Sequence, residues 1–117
     1  MKKIEFEFQQ ELQQQIDLLN SFYELISKQK ALLEKSDYEN LFITKSNFDE
    51  ISKTIQQRRE KLSYFENSCN SGLPQIEIRE IKKLINRISD IMKKVLIIEN
   101  QTCHMLQKIG EELSEIN

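Results

Sequence analysis

Leu32-Leu33-Glu34-Lys35-Ser36-Asp37-Tyr38-Glu39-Asn40-Leu41 joins two apolar-periodic stretches without a glycine or a proline. Its reading decides whether the first half of the chain is one helix or two. Two features favour a break. Ser36-Asp37-Tyr38-Glu39 has the S-x-x-E spacing of a capping box, in which Ser36 and Glu39 satisfy free backbone N–H groups at a helix start. The apolar register also slips: continued from Leu33 it reaches Asn40, and Leu41 follows one place late. The stretch therefore predicts a tight turn between two antiparallel helices.

Upstream, Leu12, Ile16, Leu19, Tyr23, Ile26 and Leu33 recur at helical steps over about 5–34. Phe8, Phe22, Leu25 and Leu32 widen that stripe, so this helix packs on at least two neighbours. Downstream, over about 37–67, Leu41, Phe48, Ile55 and Leu62 form a heptad row, with Thr44, Ile51, Arg58 and Phe65 at the companion positions. Arg58 falls on this seam, and its stem is expected along the core with its head turned outward. Residues 67–74, Asn-Ser-Cys-Asn-Ser-Gly-Leu-Pro, read as the linker, with Pro74 suited to the first turn of a new helix. The third segment, about 75–116, holds its seam through Ile81, Leu84, Ile88, Ile91, Val95, Ile98, Met105 and Ile109. Ile85, Met92, Leu106 and Leu113 lie beside that seam. The expected fold is all-α: one helical domain over 1–117, an antiparallel helical hairpin plus a longer third helix in a three-helix, coiled-coil-like bundle.

Composition narrows the function. A chain of 117 residues with 38% apolar and 31% charged residues supports one domain, and two glycines with one proline are too few for turn-dense β architecture. A net charge of −2 disfavours nucleic acid, which recruits basic surfaces. The longest apolar run, Val95-Leu96-Ile97-Ile98, is far too short for membrane insertion. No apolar stretch follows Met1-Lys2-Lys3, so no secretory signal is expected, and Cys69 and Cys103 are expected as free thiols in the cytoplasm. Cys103-His104 is the one place where two soft ligands meet, but neighbours on a helix diverge by about 100° and a zinc site needs more ligands. No P-loop or dinucleotide glycine motif is present, so no catalytic residue, metal or cofactor is expected and the chain does not read as an enzyme.

Helix lengths single out one region. Some 42 residues span roughly 60 Å, against roughly 45 Å for the first two helices, so the third should overhang the hairpin by around 15 Å or bend. Met105, Leu106, Ile109, Leu113 and Ile116 lie in that overhang. They suit docking of another protein's helix, folding back onto the first helix, or pairing with a second copy as a homodimer. Charge divides at the same place: six basic and two acidic residues from Arg79 to Lys94, then one basic and four acidic from Val95 to Asn117. Such a tail attracts basic amphipathic segments, unless the division is ordinary scatter on a solvated face. Gly110 either lets the last turns swing or is simply tolerated there.

Three short patterns resemble the FlgN family of flagellar export chaperones. The first is the quoted Leu32–Leu41 stretch, with its leucine pair, polar turn and new helix start. The second is Thr44-Lys45 followed by Ile51, Ile55, Arg58-Arg59 and Leu62. The third is Asn100-Gln101-Thr102-Cys103-His104-Met105-Leu106, similar to an asparagine-centred stretch late in the family's third helix. The resemblance implies a cytoplasmic chaperone that binds hook-associated (hook–filament junction) proteins and hands them to export-gate components. It places partner contact on Met105, Leu106, Ile109, Leu113 and Ile98, and the overhang adds Ile116. The competing reading is a structural coiled-coil dimerisation module without a client.

Overall fold

The computed structural model describes the backbone of residues 2–69 and 75–116 and the side chains of 6–63 and 79–115. Three helices account for the described residues: α1 (Lys2–Glu34), α2 (Tyr38–Cys69) and α3 (Gln75–Ile116). The all-α expectation holds. Two boundaries move outward, because α1 begins at Lys2 and α2 runs on to Cys69.

The turn is built differently from the expected capping box. Ser36 is not the N-cap of α2; it closes α1 in the left-handed conformation, with φ 56°. Its N–H donates to the Leu33 carbonyl at 3.0 Å, and the Asp37 N–H donates to the Leu32 carbonyl at 2.9 Å. That pair of bonds is a Schellman motif, which satisfies carbonyls left over at a helix C-terminus. Asp37 is the cap of α2: its carboxylate accepts from the Asn40 N–H at 3.3 Å and from the Asn40 side-chain amide at 2.7 Å. Sequence spacing alone did not separate the two assignments, since Ser36 and Asp37 are both good caps. The left-handed site gives a direct test. Ser36→Gly should raise stability by about 0.5–1 kcal/mol, because glycine carries no Cβ penalty there. A denaturation midpoint that fell instead would contradict the assignment.

α1 is the central helix. Leu19, Phe22 and Ile26 bury against Ile55 of α2 and Val95 and Ile98 of α3. Nearer the other end, Phe8 and Leu12 bury with Ile81. The wide apolar stripe of α1 thus serves two partners, as its sequence requires. Among the described residues, however, no Cα of α2 comes within 8 Å of one in α3. The two flanking helices both pack on α1 and leave a cleft between their backbones.

The polar residues on the α2 seam are satisfied. The Thr44 hydroxyl donates to the Leu41 carbonyl at 2.6 Å and accepts from the Gln29 amide at 2.9 Å. Arg58 does reach outward, to Glu11 of α1 at 2.9 Å, and Lys61 joins the same carboxylate at 3.1 Å. Gln15 is buried beside them, with its amide 3.5 Å from the Ile55 carbonyl.

α3 sets the length of the molecule. Its 42 residues at about 1.5 Å each give roughly 63 Å. The longest dimension is 63 Å, so α3 is straight and Gly110 sits within an unbroken helix.

Candidate functional site

The cleft between α2 and α3 opens into an apolar groove of about 510 Å³ at the hairpin end. Ile26, Gln29 and Leu33 of α1 form its floor. Tyr38, Leu41, Phe42, Lys45 and Phe48 line the α2 side, and Glu99, Thr102, Cys103 and Leu106 line the α3 side. The floor is firm: Phe22 and Phe48 stack obliquely with ring centroids 5.4 Å apart, and the Gln29–Thr44 bond ties α1 to α2 beneath the groove.

The groove exists because of a local crowding of apolar residues. Leu41, Phe42 and Ile43 are consecutive, and three neighbours on a helix point about 100° apart. Only one of them can face α1. Leu41 turns inward, while Phe42 is 76% exposed and Ile43 66% exposed. Tyr38, Phe42 and Lys45 were missed in reading the sequence for a site, yet the triplet was the available signal: a heptad row accommodates one such residue, not three.

From the groove the apolar stripe of α3 runs on past α1. Leu33, one residue before the end of α1, and Leu106 line the same groove, so α1 ends near the level of Leu106 and the last turns of α3 continue beyond it. Residues 18 apart on a helix share a face, being about five turns removed. Val95 and Leu113 are such a pair, and they are 3% and 58% exposed. Ile88 and Leu106 are another: Ile88 is half-buried and Leu106 is 52% exposed. Val95 packs against α1, Leu106 opens on the groove between α2 and α3, and Leu113 lies past the groove lining.

The expected contact residues divide accordingly. Met105 and Ile109 are half-buried, and Leu106 and Leu113 are exposed. Ile98 is corrected: it is 9% exposed and belongs to the core with Leu19, Phe22 and Ile26, because α1 still runs alongside at its level. The Ile116 side chain lies outside the described residues. Cys103 is a free, exposed thiol on the groove wall. Among the described residues no cluster of histidine, cysteine and carboxylate groups could hold a metal ion, and no helix is long and apolar enough to cross a membrane.

The fold and the groove together define an all-α hairpin with a longer third helix and an apolar groove at the end where α1 turns into α2. No protein family, no curated protein and no solved structure matches the chain.

Proposed function

We propose that this chain is a FlgN-like export chaperone of the cytoplasm. It binds the terminal helix of hook–filament junction proteins and delivers them to the flagellar type III export gate. One observation carries the reading: the stripe that is buried at Val95 is bare at Leu113 on the same face of the same helix. Leaving such a stripe uncovered costs solubility unless a partner covers it. A client's assembly helix seated there protects both surfaces from self-association. Binding of this kind is reversible, needs no nucleotide and is dominated by apolar burial, offset by the cost of ordering the client.

The overhang's charge favours a client over the structural dimer. Val95–Asn117 carries Glu99, Glu111, Glu112 and Glu115 against Lys108 alone, so two copies paired there bring like charges together. Calorimetry of the full chain with the C-terminal segment of a hook-associated protein should show one-to-one binding without ATP. Light scattering of the chain alone should give a monomer. A dimer that binds none of these segments would establish the structural module instead.

A further inference from the structure

We infer that the groove and the overhang together take one amphipathic helix of a partner protein, lysine- or arginine-flanked on its α3 side, which lies between α2 and α3 as a fourth helix. This rests on the docking reading above but adds the chemistry and the seat of the occupant.

Shape selects a helix. The groove has a helix on each side and a third as its floor, and no strand edge exists among the described residues to pair with an extended chain. Thr102, Leu106, Ile109 and Leu113 repeat at steps of four, three and four, the spacing that meshes with another helix. From Glu99 to Leu113 the wall is roughly 21 Å long, about four turns of an occupant. Phe42, facing Leu106 across the mouth, is the aromatic anchor on the α2 side.

Charge selects its flanks. The charge of the α3 wall is one-sided: from Val95 to Asn117 four glutamates stand against Lys108 alone. Glu99, Glu111, Glu112 and Glu115 form no ion pair among the described residues. A second copy, an anionic lipid surface or nucleic acid would add to that negative field, whereas a cationic helix relieves it. Lys45 is the one basic group on the groove wall, so the α2 side of the occupant accepts an acidic residue.

The test uses the full chain and three fluorescent synthetic peptides of about five helical turns. They are an amphipathic leucine/lysine helix, the same helix with glutamate for lysine, and a leucine/lysine scramble without an apolar face. The leucine/lysine helix should bind one-to-one and weaken by about tenfold between roughly 0.05 M and roughly 0.5 M salt. The other two should bind at least about tenfold more weakly. Phe42→Ala should weaken binding by about tenfold, while Ile97→Ser, on the far side of α3, should leave it unchanged. In the Cys69→Ser background, the bound peptide should slow alkylation of Cys103. Equal binding of the scramble, or an equal effect of Ile97→Ser, would overturn the inference, and so would a Cys103 that stays fully reactive.

The two readings fail separately. A chain that takes the leucine/lysine helix but no junction-protein segment keeps this inference and loses the export-chaperone assignment. A junction-protein helix bound with no salt dependence and no effect of Phe42→Ala does the opposite.

Discussion

Leu106→Glu combined with Ile109→Glu is expected to abolish the proposed binding of a junction-protein terminal helix and to leave the far-UV helical signal unchanged. Each apolar side chain contributes about 1.5–3 kcal/mol when a partner buries it fully. Losing both removes roughly 3–6 kcal/mol, which is about a hundredfold to ten-thousandfold in affinity. Burying a carboxylate opposite an apolar client adds further cost. The fold is expected to tolerate the change because Leu106 is 52% exposed and Ile109 is half-buried and outside both core clusters. Glutamate is also a good helix former, so α3 keeps its backbone. Calorimetry reads the affinity and circular dichroism reads the fold. Collapse of the helical signal would mean that these residues belong to the monomer's core, and unimpaired binding would mean that the client sits elsewhere.

The largest effect on stability is expected at the opposite kind of position. Leu19 is 1% exposed, in the cluster where α1 meets both Ile55 of α2 and Val95 of α3. Leu19→Ala should cost about 3 kcal/mol from lost transfer energy and the cavity left behind. For a chain of this size that lowers the melting temperature by roughly 10–15 °C. Because α2 and α3 are held together through α1, both should lose hydrogen-exchange protection in one step. Separate melting of α3, with α1 and α2 still protected, would contradict a core shared by all three. By contrast, Leu113→Ala is expected to leave the melting temperature almost unchanged, although Leu113 lies on the same face of α3 as Val95.

Some of this architecture could be read without coordinates. The steps of three and four along α1 required a wide buried stripe, and Phe8, Leu12, Ile16, Leu19, Phe22 and Ile26 are all buried. The register slip at Asn40 required a break, and the chain turns at 35–37. The chemistry of that break was harder to read. Serine at the left-handed position looks like an N-cap in sequence, and only the bonds from Ser36 and Asp37 back to α1 distinguish a helix end from a helix start. Ile98 was misplaced for a related reason: periodicity identifies the face of a helix but not how far along it a neighbour extends.

The order of residues along this chain determined three helices, the face each one buries and the acidic character of its last stretch. These follow from side-chain periodicity, turn chemistry and formal charge, all of which are local. Tertiary structure alone decided that α1 lies between the other two, that α2 and α3 stand apart, and that Phe42 and Leu106 face one groove. Burial belongs to a pair of surfaces, so whether a leucine is core or contact depends on where the helix opposite it ends.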